Sequence, residues 1–231
     1  MGSACLGWNV ERVIRGKLHS MSLNSSLTAA EFAATRHALP EGGRWHELHD
    51  GQAVLLSAPD DVHGTIVLNL SKALGAWFTG QPIHSRGYAC HEVGLHVQTG
   101  RDTVYIPAIS IFHGGQTFSQ LDQPIATEIP RVVIDIASSN DRRTDMRLRT
   151  TAYMKLGVQA VWIPDPFKKE IQVIQRGAHT QALGKWQILE GSDYLPGFRM
   201  EVEKVFAQPD WWNGQLPDFS VVTDENDQTE R

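Results

Sequence analysis

Within Arg131–Pro166 one carboxylate stands where a charge is costly. Asp135 is flanked by Val132, Val133, Ile134 and Ile136, a run apolar on both faces. Such a run belongs in a buried central strand, where an ionised group is expensive unless it is paired or holds a metal. Ser139-Asn140-Asp141 then supplies cap chemistry for a helix that ends at Gly157. On that helix Asp145, Arg149 and Tyr153 recur every four residues and share one face. A buried carboxylate followed by a helix presenting charge back towards it is the layout of an active site on a sheet. The chemistry open to it is that of a charge pair or of a held cation.

The same helix carries Arg142, Arg143, Arg147 and Arg149, four arginines in a chain whose net charge is −5. That acidic balance argues against a generally basic coat for nucleic acid, so any polyanion contact must be local. A solvated helix face and a phosphate-binding patch both explain the run. For Asp145 and Arg149 an ordinary i,i+4 bridge is the plain alternative to a site role. Cys5 and Cys90 make no disulfide framework, and no Cys/His spacing suits structural zinc. These features fit a reducing, cytoplasmic compartment. No run has the length of a transmembrane helix.

The elements that position these residues can be read in order. Thr28-Ala-Ala-Glu31 is a capping box opening a helix to about Leu39, stopped by Pro40 and Gly42-Gly43. Arg44–His49 and Ala53–Ser57 flank Asp50-Gly51, a strong hairpin signal. A helix follows over Val62–Phe78, with Val62, Ile66, Leu70, Ala73 and Trp77 on one face. Short strands are expected near Ile83–Ala89, Glu92–Gln98, Thr103–Ile106 and Ile109–Phe112, then the Asp135 strand and its helix over Asp141–Leu156. Ala160–Ile163, Glu170–Gln175 and Trp186–Leu189 read as meander strands, and a final strand precedes a short helix around Glu203–Phe206. The fold class is α/β: a single domain over residues 27–208 with a curved mixed β-sheet flanked by helices. Residues 1–26 read as a flexible extension in which Met21 offers a second start, and nothing there has the pattern of a secretory signal. Residues 209–231 read as a tail, largely disordered after 220, although Trp211-Trp212 could dock on the core or serve a homodimer.

The order of these elements resembles the Uma-two family of restriction-endonuclease-like proteins, a branch of the PD-(D/E)XK nuclease superfamily. The resemblance spans about Leu27 to Phe206. Its marks are the TAAEF helix, Glu47 in WHELHDG, His63 ahead of the long helix, the Pro107 strand, VVIDIAS, Asp145 and Tyr153, and GVQAVWIPDP. It implies Mg²⁺-dependent hydrolysis of DNA phosphodiester bonds, in which acids hold a hard cation, water is activated, and a lysine neutralises developing charge. Carried over by position, Glu47, residue 108 and Asp135 would bind the metal, and position 149 would carry the lysine. His63 and Asp145 would support them, and Arg142, Arg143 and Arg147 would meet nucleic acid.

Two positions depart from the family pattern. Residue 108 is Ala108 where the family has aspartate, and residue 149 is Arg149 where it has lysine. Alanine ligates nothing, and arginine keeps the charge in a wider, permanently protonated group. The resemblance therefore implies weak or absent Mg²⁺ binding and a weakened or lost activity. The alternatives are a catalytically inactive nucleic-acid-binding or regulatory module, and a homodimeric interaction protein. Glu47 could instead pair with Arg44 or His49 on its hairpin, and His113 reads as a loop residue. Glu92 and Asp102 are conceivable substitutes for the missing aspartate.

Overall fold

The computed structural model describes residues 26–82, 87–98, 100–113, 120–121 and 123–209. The expected terminal extension, the acidic tail, Trp211-Trp212 and Cys5 lie outside the described residues.

Helix α1 (Ala29–Thr35) opens on the expected capping box, with the Thr28 side chain and Glu31 bonding each other's backbone N–H. It is shorter than its sequence suggests, because a 3₁₀ turn takes over at Arg36–Ala38. Strands β1 (His46–His49) and β2 (Gln52–Leu55) pair antiparallel around Asp50-Gly51. Both turn residues have positive φ (48° and 79°), the geometry that makes Asx-Gly favourable in a two-residue hairpin. Helix α2 runs Asp61–Thr79, capped by the Asp60 side chain.

Four short strands follow: β3 (Tyr88–His91), β4 (Leu95–Gln98), β5 (Thr103–Tyr105) and β6 (Ile109–Phe112). The expected strand from Glu92 starts only at Leu95, since Glu92 turns the chain with φ 52°. Residues 83–86, where another strand was expected to begin, lie outside the described residues. Strand β7 (Val132–Ile134), helix α3 (Asn140–Leu156) and strand β8 (Ala160–Asp165) form a crossover unit whose two strands are parallel. Ser139 caps α3 and Gly157 ends it at φ 120°. The chain finishes with β9 (Glu170–Gln175), β10 (Gln181–Leu183), β11 (Ile188–Glu190), β12 (Arg199–Glu201) and the one-turn helix α4 (Val202–Val205). Strand β10 gave no alternating pattern, being largely exposed.

The class is α/β with a mixed sheet flanked by helices, but among the described residues the strands divide among three sheets. Six strands form the main sheet in the order β10-β9-β8-β7-β6-β3. Four more form a second sheet, β2-β1-β5-β4, and β11-β12 pair separately. One face of the main sheet packs Val132, Ile134, Ile136 and Trp162 against Ile66, Leu70 and Leu74 of α2. The other face packs Val133 and Val161 against Met146 and Tyr153 of α3, joined by Leu95 of the second sheet. Leu48 and Val104 of the second sheet turn instead to Phe32 of α1. Helix α3 therefore touches both sheets, and this sets up the site.

Candidate functional site

Asp135 follows β7 directly, and its amide still donates to the Trp162 carbonyl of β8 at 3.1 Å. Side chains alternate along a strand, so Asp135 shares the face of Val133 and looks towards α3. Glu47 sits within β1, next to Leu48, whose side chain belongs to the α1 cluster. The same alternation sends Glu47 the other way, also towards α3. Each acid comes from a different sheet, and the helix between them supplies Arg149.

The Arg149 guanidinium joins the two. Its Nη1 and Nη2 donate to Glu47 Oε2 and Oε1 at 2.6 and 2.9 Å, a bidentate fork, and its Nε donates to Asp135 Oδ2 at 2.7 Å. The Tyr153 hydroxyl donates to Asp135 Oδ2 at 2.8 Å and accepts from Arg149 Nη2 at 3.2 Å. The Tyr105 ring covers the guanidinium with its centroid at 4.5 Å. Glu47 also accepts from the Ile106 amide at 2.6 Å and bonds His49 Nε2 at 2.9 Å. Glu47, Asp135 and Arg149 are 2%, 0% and 1% exposed, so these bonds act without competition from bulk water.

Burial pushes the Glu47 carboxyl towards its neutral form. The Arg149 charge and the bonds from His49, Arg149 and Ile106 outweigh that and hold its pKa down at about 2. Burial likewise works against charge on Arg149, yet Asp135 and Glu47 together raise its pKa well above the arginine value. The Tyr153 hydroxyl is driven far up, first by burial, despite the nearby guanidinium. Glu47 and Arg149 are thus a fixed ion pair at neutral pH, with a protonated phenol beside them.

Ala108 follows Pro107 between β5 and β6, nearly buried, with its carbonyl accepting from the Glu92 amide at 3.3 Å. It lines a cavity of about 10 Å³ together with Glu47, His63, Glu92 and Arg142, the scale of about one water molecule. His63 stands in the first turn of α2 and bonds Ser138 Oγ through Nδ1 at 2.8 Å. Burial and then the Arg142 charge hold the imidazole pKa at about 4, against the pull of Asp135 and Asp60.

The arginines of α3 separate. Arg142 is buried with Nη1 at 3.7 Å from Asp135 Oδ1. Arg143 pairs with Asp165 at 2.6 Å and stacks on Phe167, and Arg147 is exposed. Both line a different cleft, with Lys168 and Asp165. The three residues assigned to a single nucleic-acid patch therefore do not share a surface, because positions 142 and 143 face different ways around a helix. The i,i+4 bridge from Asp145 is not formed: among the described residues Arg149 pairs with Glu47 and Asp135 instead. Asp145 is partly exposed beside the site. Asp102 accepts from the Ala29 amide at 2.7 Å and ties down α1, away from Asp135's partners. Glu92 is exposed at the cavity, and His113 follows β6 outside the strand, as its reading as a loop residue expects.

A divalent cation does not fit this donor set. Both Glu47 oxygens and Asp135 Oδ2 already accept from Arg149, and the third expected ligand is a methyl group. Among the described residues no group of three or more His, Cys, Asp or Glu side chains is arranged to hold a metal. Sequence reasoning missed Tyr105, the Ile106 amide and Ser138. No spacing signals the amide or Ser138, whereas Tyr153 was visible on the face of Arg149.

The site thus stands where acids from two sheets meet on the crossover helix of a mixed α/β fold. The profile of the Uma2 family, described as "Putative restriction endonuclease", matches residues 33–203. The chain belongs to that family. Among solved structures it is similar to a protein of Anabaena variabilis described as a putative nuclease belonging to DUF820. The two share 20% identity and a TM-score of 0.63, covering 78% of this chain and 97% of the other. No curated protein matches.

Proposed function

We propose that this protein is a restriction-endonuclease-like member of its family whose ancestral reaction, Mg²⁺-dependent hydrolysis of DNA phosphodiester bonds, is weakened or lost. The observation that carries this reading is Ala108. It lies beside Glu47 with its methyl in the α2-side core, so the acid cluster has two members where the family resemblance implies three. Glu47 and Asp135 occupy the ligand positions and Arg149 the position of the charge-neutralising lysine. An arginine there never deprotonates and cannot shuttle a proton.

The test is nicking of supercoiled plasmid with Mg²⁺. Wild type and Asp135→Ala should both cut slowly or not at all. The double variant Ala108→Asp/Arg149→Lys should gain on the order of 10² to 10⁴ in rate. Rapid cutting by wild type, lost on Asp135→Ala, would overturn the reading.

A second reading, an inactive module that still binds nucleic acid, is favoured by Arg142, which lines the same small cavity as Glu47, with Arg44 beside it. If phosphate meets these two arginines at the mouth of the cavity, Arg142→Ala should reduce the slope of log affinity against log salt by about 1, while Arg147→Ala should not.

A further inference from the structure

We infer that the Arg149 guanidinium is a built-in substitute for the divalent cation, and that it, more than the missing aspartate, closes this site to metal. The inference rests on reading Glu47 and Asp135 as the site of a nuclease-like protein. A cation shared by two carboxylates must lie between them, within about 2.0–2.6 Å of an oxygen of each. The space between Glu47 and Asp135 is filled by a planar group whose nitrogens stand 2.6–2.9 Å from three of the four carboxylate oxygens. The fourth, Asp135 Oδ1, faces Arg142 Nη1 at 3.7 Å.

Charge supports the same assignment. Two carboxylates and two guanidiniums, from Arg142 and Arg149, leave the cluster neutral with no metal. With an aspartate at position 108 and a lysine at 149, three acids against that lysine and Arg142 would carry one negative charge, which a divalent ion would offset. The sheets are also already clamped, because Arg149 ties β1 of one sheet to the end of β7 in the other. The Tyr105 ring above and the Tyr153 hydroxyl beside it fix the plane of the fork. A lysine ammonium is a point charge on a flexible stem and cannot bridge both acids in this way. A new carboxylate at position 108 would face the small cavity that Arg142 also lines.

The experiment measures metal uptake, with Mn²⁺ as probe. Free Mn²⁺ is followed by electron paramagnetic resonance with wild type, Ala108→Asp, Arg149→Lys and the double variant. Thermal unfolding of wild type is recorded with EDTA and with Mg²⁺. Wild type and Ala108→Asp should show no saturable uptake, and the wild-type Tm should be the same in EDTA and Mg²⁺. The double variant should bind at least about tenfold more tightly than Ala108→Asp. Mn²⁺ binding by Ala108→Asp as tight as that of the double variant, a Mg²⁺-dependent rise in the wild-type Tm, or no uptake by the double variant would each overturn the inference. Failure of the functional reading would show differently, as plasmid cutting by wild type.

Discussion

Helix α3 presents arginines on two flanks, and the two flanks do different physical work. On the inner flank Arg149 is buried, makes three charge-assisted bonds to two acids, and holds two sheets together. On the outer flank Arg143 meets one acid, the buried Asp165, which two backbone amides also hold, and its own side chain is 28% exposed in a cleft at the surface. The residue type and the nominal pairing are alike. What differs is the medium: water competes for Arg143 and is excluded from Arg149. The count of arginines in the sequence is therefore a poor guide to a nucleic-acid surface, because the helix spends two of the four on its own interior.

Removing Arg149 should have the largest effect. Arg149→Met takes from two buried carboxylates the cation they share, leaving Asp135 with Tyr153 and Arg142 and Glu47 with His49 and the Ile106 amide, and should cost about 3–5 kcal/mol in denaturant unfolding. Adding Glu47→Gln and Asp135→Asn to that variant should recover part of the loss, since the orphaned charges go with it. A loss under about 1 kcal/mol would put Arg149 in the same class as a surface pair.

Acid should come next. The Glu47 pKa is depressed from an ordinary 4.5 to about 2, so its stabilisation is complete above about pH 4.5 and drains away as pH falls towards 2. The full amount is up to about 3 kcal/mol. His63 acts earlier: its pKa falls from 6.5 to about 4, the unfolded chain takes up the proton first, and stability declines as pH drops through that window. Stability measured against pH should fall in two stages, and His63→Gln should remove the upper one.

Tyr153→Phe removes a donor from Asp135 and an acceptor from Arg149 and should cost about 1–2 kcal/mol. The smallest effect belongs to the outer flank. Arg143→Ala should cost no more than about 1 kcal/mol, and added salt should shrink it. A salt-insensitive cost equal to that of Tyr153→Phe would erase the distinction between the flanks.

Much of this was legible in the chain. The apolar residues around Asp135, the Ser139 cap and the Gly157 stop define the crossover unit, because local patterning and backbone chemistry decide those features. Asp50-Gly51 fixes the β1–β2 register for the same reason. The partner of Arg149 was legible only through the family resemblance, which put positions 47, 135 and 149 at one site; the residues alone pointed elsewhere. Asp145 lies four residues away on the same helix, yet the guanidinium reaches Glu47, 102 residues away, because burial makes two charged partners worth more than one exposed neighbour. The three-sheet arrangement and the parting of Arg142 from Arg143 were hidden too, since both depend on how α3 is rotated between its sheets. Ala108 was visible as a departure, but its nearness to Arg142 was not.

A crystal grown in Mn²⁺ would examine the buried triad itself. Anomalous scattering should show no manganese between Glu47 and Asp135, with the Arg149 fork in place on both acids. A manganese peak bonded to both carboxylates, with Arg149 swung out, would contradict the assignment of that guanidinium as the site's own cation.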